Sequence, residues 1–321
     1  MPSPPPCSFD ELKSRSGPPY NAWGLYGAND ELGRLNLITE EAVRRGRDSI
    51  KHGICINLNL PLSAQPLNPA RKGLQHEIIH RTHCNDDHVS FNTQTSTQWD
   101  GFRHYPYLNY PEKGSYIYYG GQSSDDAKNK AISRNGIQNY ATKPITSRAH
   151  LLDIVAYRAK HNLPPISAFD GNTPITLDML EECAKESKVV FESGDILLVR
   201  TGFTEACLNL TEEERTELPK RKVRNYCGVA QTEDVLKWHW ENGIAAVASD
   251  TAAYENYPSP QSPSIHEIFL AGWGMPIGEL FDLRELAKQC EKLQQWTFFF
   301  SSMVLNIEGG IASPPNAQAV L

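Results

Sequence analysis

The most informative segment of this chain is Gln94-Thr-Ser-Thr-Gln98-Trp-Asp100-Gly101-Phe-Arg-His104, which carries two amides, a carboxylate and an imidazole. On an α-helix the two glutamines would share one side, and Asp100 and His104 would point away from them. An extended segment that turns at Asp100-Gly101 can direct all four to one face, since their positions differ by even numbers. Gly101 would relax the backbone where the chain bends. The pattern predicts a strand running into a turn that gathers groups able to bind a hard metal or move protons.

Another interpretation of the same residues is open. Alternating Gln, Thr and Ser also describe the solvated face of an antiparallel strand, with Trp99 as an ordinary core residue. The nearby aromatic residues Phe102, Tyr105 and Tyr107 could wall a site for a flat ring, or they could simply pack in the core. The residues alone do not choose between these alternatives.

Composition and charge indicate a globular protein that acts on a small molecule. The 321 residues are 40% hydrophobic and 21% charged, which is enough for a sizeable core. A net charge of −7 with scattered Lys and Arg argues against a nucleic-acid partner. The start, Met1 to Cys7, lacks the basic and apolar regions of a secretory signal, and no run is long enough to span a membrane. We therefore expect a soluble, cytoplasmic protein with a small-molecule substrate and no membrane partner.

The cysteines and a cluster of histidines and aspartates could each suggest a metal site, but we predict a metal at neither. The seven cysteines are widely spaced and contain no Cys-x-x-Cys pair, so we expect reduced thiols rather than a disulfide framework or a structural zinc site. Histidines and aspartates crowd residues 76–88, but their spacing matches no standard zinc arrangement. A polar loop or strand rim is the better interpretation.

Helices and strands alternate in the later part of the chain. Caps and hydrophobic periodicity predict helices over 39–52, 176–187 and 232–242, and strands over 54–60, 151–155, 195–200, 244–249 and 296–307. The earlier part is richer in strands and loops. We therefore predict one mixed α/β (α+β) domain over residues 21–321, preceded by an N-terminal arm over residues 1–20.

Three further residues could take part in chemistry. Asp250 follows a predicted strand, where it could serve a functional loop or cap a turn. His266 begins a short predicted helix, and Glu279 lies thirteen positions later, so the two would meet only if Gly272, Pro276 and their neighbours fold the chain back. Otherwise His266 would cap or pack, and Glu279 would be solvated.

These segments together resemble the putative cyclase family, which includes bacterial-type kynurenine formamidases, isatin hydrolases and trans-dienelactone hydrolases. The family motif is His-x-Gly-Thr-His-x-Asp-x-Pro-x-His. Its first two histidines fall at Gln94 and Gln98, its aspartate at Asp100 and its closing histidine at His104. The match looks closest to a fungal-type branch. Further similar segments are Trp23-Gly24, residues 30–37, residues 194–202, Cys227-Gly228, Ala248–Asp250, residues 266–279 and residues 309–316.

The resemblance implies a swivelling β/β/α-type fold, a homodimer or higher homo-oligomer, and a divalent metal, Mn²⁺ or Zn²⁺, that activates water against a carbonyl. Gln98, Asp100 and His266 match positions that bind or surround this metal, while His104 would shuttle protons and Glu279 would assist. Glutamine is a weaker donor to zinc than imidazole, so the two replacements favour a hard ion such as Mn²⁺ or Mg²⁺, weak binding, or no metal.

The function implied is hydrolysis of a cyclic amide, lactone or related carbonyl bond of a small metabolite, with His104 as general acid/base and Asp100 as ligand or orienting carboxylate. The alternatives are a metal-independent cyclase, dehydratase or isomerase of secondary metabolism, or a binding protein that has lost the chemistry. The expected substrate-binding residues are Gln94, Trp99, Phe102, Arg103 and Tyr105.

Overall fold

A computed structural model describes residues 6–64 and 71–321 of the chain. Residues 1–5 of the predicted arm lie outside the described residues. The remainder of the arm contains a short helix that starts with a capping box at Ser8 and buries Phe9 and Leu12. None of the helices described here has the length and apolar character that a membrane crossing requires.

The described helices and strands have the following bounds. The strands are β1 (Cys55–Asn57), β2 (Gln75–His80), β3 (Asn85–Ser90), β4 (Gln98–Asp100), β5 (Tyr107–Leu108), β6 (Tyr116–Tyr118), β7 (Gln122–Ser123), β8 (Ile145–Asp153), β9 (Ile196–Arg200), β10 (Ala246–Ser249), β11 (Ile277–Glu279), β12 (Thr297–Ser302), β13 (Ala312–Ser313) and β14 (Gln318–Val320). The α-helices are α1 (Phe9–Lys13), α2 (Glu40–Asp48), α3 (Ser124–Lys128), α4 (Gln138–Thr142), α5 (Ile154–Lys160), α6 (Leu177–Glu186), α7 (Phe203–Leu208), α8 (Glu212–Glu217), α9 (Glu233–Glu241) and α10 (Arg284–Leu293). Short 3₁₀ turns cover Gly33–Leu37, Tyr119–Gly121 and Leu218–Lys220, and a π-helix covers Glu267–Trp273.

One nine-stranded mixed sheet organises the molecule, in the order β1-β14-β12-β8-β9-β10-β11-β4-β13. Its centre, β8 to β11, is parallel, because helical segments return the chain to the same edge between these strands. The flanking strands pair antiparallel. Leu198 packs into a hydrophobic core on one face, and Leu197 and Val199 pack into a second core on the other. Burial on both faces explains why these strands are almost entirely apolar.

The main predicted elements of the later chain are confirmed. Thr176 caps α6 through a hydrogen bond from the Met179 amide, and Thr232 directly precedes α9, which ends before Gly243. Several boundaries were wrong. The strand predicted from 151 begins at Ile145, and it ends at Asp153 because the Asp153 side chain accepts from the Ala156 amide and starts α5.

Three other predicted elements are shorter than expected. The helix from residue 40 ends at Asp48, where Ser49 forms the C-cap. The strand predicted over 54–60 is regular only at Cys55–Asn57, and the run over 296–307 is a strand only at Thr297–Ser302. In both strands the apolar pattern extends beyond the hydrogen-bonded ladder, and pattern alone cannot show where pairing stops.

The histidine-rich segment forms an antiparallel hairpin of β2 and β3, with His76 opposite Val89 and Ile78 opposite Asp87. Nearly every residue of both strands is exposed. The Nε2 atom of His76 lies 2.9 Å from Oδ2 of Asp87. The segment is therefore a polar strand rim, as predicted.

Gly278, in β11, lies at a point of close packing between β11 and its neighbours in the sheet. A Cβ there would lie 2.7 Å from the Cβ of Ala248, 2.7 Å from Cε2 of Phe281 and 3.0 Å from Cζ3 of Trp99. These atoms belong to neighbouring buried groups, so the strand cannot accept a side chain without moving.

We expect Gly278→Ala to lower the free energy of unfolding by about 1–3 kcal/mol, because it overpacks a closed core. Urea denaturation followed by circular dichroism would measure this. The double variant Gly278→Ala/Ala248→Gly removes one of the clashing groups and should recover part of the loss. A Gly278→Ala protein as stable as the wild type would contradict the packing described here.

Candidate active site

The antiparallel pair of β4 and β11 places the first two functional side chains. Gln98 stands directly opposite Glu279 in this pair, and residues in direct register project on the same face. Nε2 of Gln98 donates to Oε2 of Glu279 at 2.5 Å. Asp100, two residues along β4, shares that face.

The segment from Gln94 to His104 converges as predicted, although only Gln98–Asp100 is regular strand. Gln94 lies in the preceding turn, and its Nε2 donates to Oδ1 of Asp100 at 2.7 Å and lies 3.2 Å from either ring nitrogen of His104. The role predicted for Gly101 was wrong. A Cβ there would lie 2.7 Å from the carbonyl oxygen of Ile311, to which the Gly101 amide donates, so close approach and not chain bending requires glycine.

Asp100, His104 and His266 form a candidate metal centre. One ligand atom from each lies within 4.8 Å of the others. Oδ2 of Asp100 is 3.7 Å from Nε2 of His104 and 3.9 Å from Nε2 of His266, which is too far for hydrogen bonds. Ligands about 2.0–2.2 Å from a shared cation are separated by distances of this order.

Two buried oxygen atoms support this fit. Oδ2 of Asp100 and Oε1 of Gln98 each lack a hydrogen-bond partner among the described residues. A buried unpaired acceptor is costly, above all on an ionised carboxylate. A divalent cation would satisfy both oxygens, so the donor set of Gln98, Asp100, His104 and His266 suits a divalent metal site.

Glu255 orients His266. Both Oε1 and Oε2 of Glu255 lie 2.6 Å from Nδ1 of His266, and the His266 amide donates to Oε1 at 3.2 Å. This leaves Nε2 of His266 directed at Asp100 and at Oε1 of Glu279, 3.2 Å away. A carboxylate behind the distal ring nitrogen is the usual support of a metal-binding imidazole.

Burial and neighbouring charges perturb the titratable groups. Burial, together with the charge of Asp100, raises the pKa of Glu279 to about 7. Burial opposes the charged form of His266, but Glu255 and Glu279 outweigh it and raise its pKa well above the usual value. Burial lowers the pKa of His104, which therefore favours the neutral imidazole. Such shifts are typical of catalytic sites.

These side chains face a cavity of about 230 Å³. His104, Glu279 and His266 form its inner wall, and the rings of Tyr105 and His266 meet edge to face with centroids 5.5 Å apart. The other lining residues are Arg71, Gln94, Arg224, Tyr226, Ala252, Ala253, Glu255, Tyr257, Ser259, Ser264 and Leu280. A small molecule in this space would contact the candidate centre directly.

The fold agrees with a comparison to known families. The family model described as Putative cyclase matches residues 50–256. This chain belongs to the Putative cyclase family. The family assignment and fold class predicted from sequence are thereby confirmed, and the protein is an enzyme, a hydrolase or a cyclase. The fungal-type branch stays a prediction.

Solved structures of the same fold include a novel cyclase, which is 28% identical, spans 94% of this chain and 99% of its own, and superposes with a TM-score of 0.82. Isatin hydrolase A from Ralstonia solanacearum is 16% identical over 87% of this chain and 95% of its own, with a TM-score of 0.57. Isatin hydrolase A from Labrenzia aggregata, bound to benzyl benzoate, is 14% identical over 85% of this chain and 94% of its own, with a TM-score of 0.57. No curated protein matches the sequence.

Three side chains expected to bind substrate do not line the cavity of this cyclase-family protein. Trp99 is fully buried and donates from its indole nitrogen to Oγ of Ser302 at 2.8 Å. Phe102 packs against Tyr119 and Tyr140 in the core. Of the predicted substrate-binding residues, Gln94 and Tyr105 do reach the cavity.

Arg103 supports the backbone instead of contacting the cavity. Its guanidinium group donates to carbonyl oxygens of Ala127, Ile132 and Gly309, among others. Asp250 is likewise structural, since its carboxylate accepts from the amides of Thr201 and Gly202 and ties β10 to the loop after β9. The cap interpretation of Asp250 therefore holds.

We expect Glu255→Gln to weaken divalent cation binding about 10–100-fold, because the amide no longer orients His266. Titration of Mn²⁺ and Zn²⁺ against a chromophoric chelator would measure this without any substrate. Glu267→Gln is the matched control, since Glu267 is also a buried carboxylate but accepts from the amides of Leu108 and Ser264. Equal cation affinity in Glu255→Gln and wild type would contradict the role assigned to Glu255.

Proposed function

We propose that this cyclase-family enzyme is a metal-dependent hydrolase of a cyclic amide, lactone or related carbonyl bond in a small metabolite. The observation that carries the proposal is the buried, unpartnered oxygen of Asp100 beside the imidazoles of His104 and His266, together with a second unpartnered oxygen on Gln98 of the same strand. The similarity in fold to isatin hydrolases supports the same reaction class.

The proposed cation ligands are Gln98, Asp100 and His266. Two oxygen donors and one imidazole suit Mn²⁺ well and are also compatible with Zn²⁺. A cation bound there would polarise the substrate carbonyl and lower the pKa of water. Glu255 fixes the His266 ring, and Gln94 holds Asp100 through the hydrogen bond to Oδ1.

His104 is proposed as the general acid/base. Its side chain is 20% exposed and lines the cavity, whereas that of Asp100 is fully buried, so substrate can reach His104 but not Asp100. As a neutral imidazole it can accept a proton from the attacking water and return it to the leaving nitrogen or oxygen. Glu279 is proposed to hold a second proton, because burial and the charge of Asp100 raise its pKa to about 7.

We expect His104→Ala to lower kcat about 100-fold or more for any lactone or cyclic amide that the enzyme hydrolyses, with little change in cation affinity. Asp100→Asn should abolish cation binding and turnover together. Hydrolysis of a lactone and cyclic-amide panel, read alongside cation titration, would separate the two effects. If the His104→Ala variant also lost cation binding, His104 would be a cation ligand. If its turnover equalled that of the wild type, His104 would have no role in the reaction.

A second candidate is a metal-independent cyclase, dehydratase or isomerase of secondary metabolism. The observation that favours it is the chain Glu255–His266–Glu279, which can share a proton with no cation present. Chelation distinguishes the candidates, because full activity in metal-free protein would exclude the hydrolase mechanism and support acid/base chemistry alone.

We also propose a homodimer, as the family resemblance implies. The β2–β3 hairpin supports it, since Ile78 and Val89 are 58% and 54% exposed and an isolated two-stranded sheet is marginally stable in water. A second copy of the chain would cover these apolar groups. The seven free cysteines are compatible with the proposed cytoplasmic location.

We expect Ile78→Asp/Val89→Asp to shift the protein from dimer to monomer in light scattering at micromolar concentration, because two charges would enter the interface. Val190→Asp is the control, since Val190 is 73% exposed on another surface. A wild-type protein that is monomeric, or a dimer that both substitutions leave intact, would contradict a hairpin-mediated dimer.

A further inference from the structure

The cavity of the active site carries a charge pattern that the hydrolytic machinery does not use. Two arginines, Arg71 and Arg224, line it together with the buried site residues. Arg224 is exposed and Arg71 is half-buried, whereas His266 and Glu279 are buried. Both arginines are therefore more exposed to solvent than His266 and Glu279 of the inner wall.

Neither arginine forms an ion pair within residues 6–64 and 71–321. Arg71 donates to the carbonyl oxygen of Gln94 at 3.0 Å, which leaves most of its guanidinium donors available. The carboxylates that line the same cavity are already engaged: Glu255 with His266, and Glu279 with His266 and Gln98. Two positive charges thus face the cavity without a carboxylate of the described chain to balance them.

The charge of Arg71 also reaches the inner site. Burial has the largest effect on the pKa values of His104 and Glu279, and the charge of Arg71 lowers both. Arg71 contacts the backbone of Gln94, and the side chain of Gln94 contacts His104, so a ligand bound to Arg71 would lie one residue away from the proposed general acid/base.

Aromatic groups line the same cavity as the arginines. Tyr226 and Tyr257 stack with centroids 6.0 Å apart and an interplanar angle of 30°, and Tyr105 meets His266 edge to face. Such surfaces favour a flat ring over a branched aliphatic group. Guanidinium groups in turn bind carboxylates with paired hydrogen bonds.

We propose that Arg71 and Arg224 form an anion-binding subsite, which selects a substrate carrying a carboxylate on a flat ring system. This inference deepens the proposed function: the ring lies among Tyr105, Tyr226 and Tyr257, and its cyclic amide or lactone carbonyl points to the inner wall.

The test compares benzoate with its neutral isostere benzamide by isothermal titration calorimetry on the full chain, both as purified and after chelation. We expect benzoate to bind about tenfold or more tightly than benzamide, since hydrogen bonds to a charged group add this much affinity. The preference should fall about tenfold in Arg71→Gln and in Arg224→Gln, and persist in Arg71→Lys and Arg224→Lys. Arg47→Gln, on the exposed face of α2, is the matched control and should change nothing.

Three outcomes would overturn the subsite: equal binding of benzoate and benzamide, a preference that survives both glutamine substitutions, or a preference that disappears on chelation because the carboxylate was bound to metal. Benzoate binding requires no turnover, so the expected binding data would uphold the subsite even if the hydrolase proposal failed. Conversely, hydrolysis of neutral phthalide at the same kcat/KM as 5-carboxyphthalide would uphold the reaction and reject the subsite.

Discussion

The site depends on the buried negative charge of Asp100. Its side chain is fully inaccessible, and an ionised carboxylate in such a position is strongly unfavourable unless it is paired. Gln94 satisfies one oxygen, but the other faces His104 and His266 across gaps too long for hydrogen bonds. A cation shared with His266 would satisfy the oxygen and hold that imidazole in place, which leaves His104 free for proton transfer. The surrounding polar groups can be understood as supports for that arrangement.

The sheet makes this arrangement rigid. Glu279 ends β11, and Gln98 faces it from the antiparallel neighbour β4. The backbone pairing of these two strands sets the distance between the two side chains. His266 reaches the same place from the π-helix that precedes β11, a helix type often found at functional sites. Gly278 permits the close contact of β11 with β10 that this geometry requires. Close packing directly behind the site therefore controls the distances between its side chains.

Local patterns explain which parts of the site could be predicted from sequence. Gln94, Asp100 and His104 converge within one short segment, so their even spacing was informative, and capping residues such as Thr176 located helices well. Glu255 and Arg224 were missed because they join the site only through tertiary contacts. Trp99 alternates with Gln98 and Asp100 and therefore faces the core, so its expected role ignored the strand pattern; Phe102 lies in the turn after β4, where alternation no longer applies.

The most direct test of the cation site is anomalous diffraction from crystals of the full chain grown with Mn²⁺. The account predicts one strong peak at the end of β4, about 2.0–2.2 Å from Oδ2 of Asp100 and Nε2 of His266, with Oε1 of Gln98 turned toward it. Crystals without a peak there, in which Nε2 of His266 instead donates to Glu279 and a water molecule fills the space beside Asp100, would contradict it.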